Sequence, residues 1–89
     1  MKAILTVIGK DKVGIIAGIS QKMLEYKINI LDVNQTIMEG FFTMIMVLDI
    51  ENMKGTFEEA RAGLIKEGEI LGVEVKIQKE EIFKSMHSL

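Results

Sequence analysis

Few side chains in this 89-residue chain are of a type that does chemistry. His87 is the only histidine and stands third from the end, where a solvated tail side chain is a better reading than a general base. The chain has no cysteine, which removes disulfide staples and thiolate metal sites together. No serine or threonine has an evident base partner, and no G-x-S-x-G elbow occurs. The carboxylate pairs Glu58/Glu59 and Glu80/Glu81 are successive residues. On a helix such side chains diverge, so they serve solubility and the helix dipole. Arg61 is the sole arginine and falls inside a predicted helix; an acylphosphatase-like site would need an arginine in the loop after the first strand, and residues 9–14 hold none. The chain is read as a non-enzyme that needs no cofactor.

One constellation is left. Asp11-Lys12-Val13-Gly14 makes a turn that opens a helix, and Asn29-Ile30-Leu31-Asp32 opens a strand. The first turn of a helix leaves backbone amides without partners, a ready seat for a carboxylate. Gly14 has no side chain, so a ligand or a second backbone can come close. Asn29 carries both a donor and an acceptor and could read both ends of an amino acid. Taken alone, these are also ordinary turn and edge-strand residues, and the spacing by itself leaves both readings open.

The elements that must position them follow from hydrophobic periodicity. Residues 2–8 form a strand whose two alternating sets, Ala3/Leu5/Val7 and Ile4/Thr6/Ile8, are both largely apolar. From Val13 the period becomes helical, with Ile16, Ile19, Met23 and Tyr26 as the apolar stripe, to about Lys27. Asp11 or Lys12 sits near its start, and the aspartate is a candidate cap. Residues 28–39 form the second strand, with Leu31, Val33 and Ile37 on one parity. Gln35 falls on that apolar parity and points to a bulge or a functional need there. Gly40 is the hairpin hinge, and residues 41–50 form a third strand, again apolar on both parities. Thr56-Phe57-Glu58-Glu59 has the form of a capping box before a second helix that Gly72 ends. Gly63 and Gly68 interrupt that helix, at about 1 kcal/mol each. Val73, Val75 and Ile77 alternate with polar residues in a fourth strand, and Ile82, Phe83 and Met86 suggest a short C-terminal helix.

Strand, helix, strand, strand, helix, strand predicts a ferredoxin-like βαββαβ sandwich of the α+β class: an antiparallel sheet of order 4-1-3-2 with two helices on one face. The central strands one and three should be apolar on both faces, as they are. One domain is expected over residues 1–89, with 79–89 as a C-terminal extension. The second apolar face, with Phe41, Ile45 and Val47, then needs a cover from the C-terminal helix or a second subunit, and a homodimer is favoured for so small a domain. The net charge of −2 offers no attraction to nucleic acid or to an anionic membrane, and strand one lacks the aromatics of an RNA-recognition surface. Met38, Met44 and Met46 are read first as core filling. The apolar run at residues 3–8 is too short for a signal core or a membrane span, so a cytoplasmic protein is expected.

The stretch from Gly9 to Ile16, then Leu24 and Ile28-Asn29-Ile30, resembles the opening half of ACT domains, which regulate enzymes of amino-acid metabolism. The whole chain, with Asp32-Val33-Asn34-Gln35-Thr36 and Ile82-Phe83, is similar to free-standing single-ACT proteins related to the glycine cleavage repressor. The resemblance implies a non-catalytic module that binds an amino acid at a homodimer interface, between the strand-one/helix-one turn of one chain and the second strand of another. By position it marks Asp11, Gly14 and Asn29 as contacts, flanked by Lys12, Val13, Ile30 and Asp32. Val13 stands where many members have proline, and Gly9 and Asp11 stand where serine-binding members carry histidine and asparagine, which argues against serine. The alternative is a ligand-free interaction domain that pairs with a partner enzyme or repressor.

Overall fold

The computed structural model describes residues 1–10 and 12–87. The elements are β1 (Lys2–Lys10), α1 (Ile15–Glu25), β2 (Asn29–Met38), β3 (Phe41–Asp49), α2 (Phe57–Leu71), β4 (Val73–Lys79) and α3 (Glu80–His87). All four strands join one sheet in the order β2-β3-β1-β4, with every neighbouring pair antiparallel. This is the expected sandwich, with the two doubly apolar strands in the middle.

The helix-bearing face of the sheet is the core. Ala3, Leu5 and Val7 of β1, Phe42, Met44, Met46 and Leu48 of β3, and Val73, Val75 and Ile77 of β4 are all buried there. They meet Ile15, Ile19 and Met23 of α1 and Ala60 and Leu64 of α2. The buried stripe of α1 therefore begins at Ile15 and not at Ile16, which is 44% exposed. On the other face Ile4 is buried, and α3 packs against β1 and β4 at that end. Ile8 and Ile45 on the same face stay partly exposed, and Phe41 is 58% exposed.

Local chemistry ends and starts the elements. The Thr56 hydroxyl accepts the Glu59 amide at 3.1 Å, the anticipated cap, and donates to the Glu59 carboxylate at 3.1 Å, so the carboxylate takes the hydroxyl in place of the Thr56 backbone amide of a full capping box. α1 closes with the Ile28 amide on the Met23 carbonyl at 2.9 Å and the Lys27 amide on the Leu24 carbonyl at 3.2 Å. That is a Schellman motif, and it places Lys27 in the left-handed region, with φ of 55°. The β2–β3 hairpin has two central residues, Glu39 and Gly40, both at positive φ (51° and 82°), the backbone of a type I′ turn.

Gln35 is not a bulge. The register shift lies at Leu31, between the pairs Ile30↔Leu48 and Asp32↔Val47. It turns Val33, Gln35 and Ile37 to the helix-bearing face, opposite Met46, Met44 and Phe42. Among the described residues no helix is long and apolar enough to cross a membrane.

Candidate functional site

Gly14 is the N-cap of α1 and adopts φ 96°, ψ −4°, a left-handed conformation in which a side chain would be strained. A Cβ added there would find no heavy atom within 4 Å, so the space above it is open. The first helical bond runs from the Gly18 amide to the Gly14 carbonyl at 2.8 Å. Among the described residues no side chain caps the helix, and its first turn holds no acidic residue. The amides of Ile15, Ile16 and Ala17 thus lie before that first bond, with the positive end of the helix dipole behind them. Asp11, the expected cap and contact, lies outside the described residues.

Val13 projects fully into solvent. Lys12 reaches a different neighbour: a methyl group placed on Gly72 would lie 2.6 Å from its ammonium. Gly72 is the C-cap of α2, whose last turn contains no basic residue of its own. The Lys12 ammonium thus lies beside the negative end of that helix, where a cation is favoured.

The second group of expected contacts begins β2. Asn29 is exposed and sits opposite Asp49 in the ladder. Ile30 is half-buried against the core. Asp32 is exposed, and its carboxylate accepts the Val33 amide at 2.9 Å. The Schellman turn at Lys27 aims the chain directly into this segment.

The two groups do not meet within one chain. In the register Lys2 faces Asp49 and Asp49 faces Asn29, whereas Lys10 faces Phe41 and Phe41 faces Met38. Asn29 is therefore at one end of the sheet and the turn after Lys10 at the other, eight residue steps or about 26 Å away. Only a second copy can bring the β1–α1 turn and the start of β2 together.

The edge that could receive one is unusually bare. Every residue of β2 but Ile30 is exposed, including Val33 at 44% and Ile37 at 56% on the helix-bearing face. Beside them on α1, Ile16 and Leu24 are exposed, with the half-buried Ser20 at the intervening turn. Those three are four residues apart and share one flank of α1. Gly18, on the opposite flank, faces Glu67 and Leu71 of α2. The sequence pattern hid this flank, because Ile16 counts as core when the stripe is started there; the 15-19-23 spacing was the signal that could have separated it.

Comparison with known proteins agrees with this architecture. A family model described as ACT domain matches residues 2–78. A UPF0237 protein of Listeria monocytogenes is 56% identical over 89 residues, all of both chains. Among solved structures, an ACT domain protein from Streptococcus pneumoniae superposes with a TM-score of 0.81 at 43% identity and covers 94% of each chain. A putative glycine cleavage system transcriptional repressor matches 88% of this chain and 44% of its own, with a TM-score of 0.74 at 17% identity, a likeness of fold.

Proposed function

The chain belongs to the ACT-domain family, and on that premise we propose that it is a non-catalytic regulatory module that binds a free amino acid at a homodimer interface. The ligand lies between the β1–α1 turn of one subunit and the start of β2 of the other. One observation carries the reading: the bare β2 edge has the two groups of candidate contacts at its opposite ends. A two-fold axis beside that edge sets β2 antiparallel to its copy. Each Asn29 then stands near the end of the other β2, and so near the partner subunit's Gly14 turn. Two equivalent sites result, each incomplete in a single chain.

In such a site the free amides of the first turn of α1 take the ligand carboxylate, and Gly14 lets it approach. Asn29 of the facing subunit hydrogen-bonds the ligand, and Asp11 draws its ammonium group. Val13 and Ile30 border its side chain, while Lys12 and Asp32 hold the two backbones in place. The module works in the cytoplasm, where free amino acids are handled, and passes its state to a partner enzyme or regulator.

Thermal unfolding against the amino acids, one at a time, is the test. A ligand at ~100 times its Kd adds about 2.7 kcal/mol, which for a domain of this size raises the midpoint by roughly 10–20 °C. Asn29→Ala should abolish that shift and leave the unliganded midpoint nearly unchanged. No shift with any amino acid would end the sensing reading. The second reading, a ligand-free interaction domain, draws on the exposed Ile8, Met38, Phe41 and Ile45. It predicts self-association or partner capture with no response to amino acids.

A further inference from the structure

A cleft of about 560 Å³ opens where the start of α2, the end of β4 and α3 converge. Its lining includes Phe57, Ile77 and Ile82 as apolar surface and Glu58, Arg61 and Lys79 as charges. The volume suits a small organic molecule. Lys79 holds its ammonium 5.4 Å from the centre of the Phe57 ring and makes no ion pair among the described residues. Arg61 pairs with Glu58 at 3.3 Å, but both side chains are largely solvated, at 49% and 75% exposure. An exposed pair of this kind is worth about 1 kcal/mol at most and yields readily to a better anion. The Thr56 hydroxyl is already engaged with Glu59, so the cap itself contributes little.

We infer that this cleft is a second binding site, for a small monocarboxylate with an apolar body. The body lies on Phe57 and Ile82, with the buried Ile77 behind them, and the carboxylate sits between Lys79 and Arg61. A cation over an aromatic face, with apolar surface and a second cation in the same lining, is amphipathic in the same sense as such a ligand. The site is distinct from the one at Gly14 and Asn29. β4 and β2 form opposite edges of the sheet, and Lys79 pairs with Ala3, at the end away from the β1–α1 turn. Lys79 and Ile82 also lie beyond the span of the family match, which ends at residue 78. The C-terminal extension therefore builds a wall of the cleft. The inference stands whether or not the dimer-interface site binds an amino acid.

The test is titration of ¹⁵N-labelled protein with phenylacetate and hexanoate, followed by amide chemical shifts, with phenylacetamide as the neutral control. Shifts should centre on Phe57, Glu58, Lys79 and Ile82, and the acid should bind more tightly than its amide. Lys79→Gln and Arg61→Gln should each weaken the acid roughly threefold, in the range of an exposed ion pair. Glu58→Gln should strengthen it, because it frees Arg61 and removes a repelling charge. Asn29→Ala should change nothing here. Arg61 and Glu58 face solvent and Lys79 is half-buried, so an unchanged spread of amide signals will confirm folding. Equal binding of acid and amide would reduce the cleft to an apolar crevice and overturn the assignment, as would shifts centred elsewhere, no shifts at all, or weaker binding in Glu58→Gln.

Discussion

Gly63 and Gly68 read from sequence as flaws in a helix, each costing about 1 kcal/mol relative to alanine. At both positions packing makes glycine the favoured residue. A Cβ on Gly63 would run into the Tyr26 hydroxyl and ring, and one on Gly68 would lie 2.5 Å from Cγ2 of Val75 and 3.0 Å from the Val73 carbonyl. These glycines are the points where α2 comes against the end of α1 and against β4. Gly63→Ala should therefore destabilise the protein by about 2 kcal/mol in denaturant unfolding, although alanine is the better helix former. Tyr26→Phe in the same chain should recover part of the loss, because the hydroxyl is the nearest obstacle; no recovery would mean that Tyr26 is not what the methyl meets. The Gly63 contact joins residues far apart in the chain and the Gly68 contact crosses from a helix to the next strand, and no local pattern reports either. The same limit hid the role of Lys12, whose partner at Gly72 is equally remote in sequence.

At the level of elements, the legible signals were those written in neighbouring residues. The alternation of β4, the doubly apolar β1 and β3, the Thr56 cap and the Gly72 stop each need only a short window of sequence, and each was readable. Thr56→Ala should accordingly cost about 1 kcal/mol of stability, measured by the same unfolding. The signals that were missed are ones in which the residue contradicts its backbone. Lys27 and Glu39 both hold positive φ without being glycine or asparagine, at about 1 kcal/mol each. Lys27→Gly and Glu39→Asn should each stabilise by roughly 0.5–1 kcal/mol, since the first completes a Schellman end and the second an Asn-Gly type I′ turn. A loss of stability at either position would show that the lysine or glutamate side chain makes a compensating contact. The register shift lies at Leu31, whereas the sequence pointed to Gln35 for a bulge or a functional need, for a related reason. An extra residue in an edge strand resets parity for everything after it, and parity alone cannot say where the reset occurred.

For the whole molecule, the proposed dimer turns on which apolar face would meet a second copy. From sequence the exposed set was Phe41, Ile45 and Val47, on the face without α1 and α2; the geometry adds the flank made by Ile16 and Leu24 of α1 with Val33 and Ile37 of β2. The flank adjoins an unpaired strand edge, so a copy docked there gains backbone hydrogen bonds as well as apolar burial. It is also the arrangement that the proposed amino-acid site requires. Val33→Lys and Ile45→Lys separate the two, since both positions are partly exposed in the single chain, at 44% and 41%, and each substitution should leave the monomer folded. In sedimentation, the unaltered protein should run at twice the 10.0 kDa chain mass. Val33→Lys should run as a monomer, because two lysines brought across a two-fold axis repel and lose hydration together. Ile45→Lys should remain a dimer. The amino-acid shift must follow the same division, lost with Val33→Lys and kept with Ile45→Lys, because half of each site comes from the other chain. The opposite pattern would put the interface on the outer face of the sheet, leave the turn after β1 and the strand start at Asn29 at opposite ends of each chain's sheet, and remove the physical basis of the sensing site.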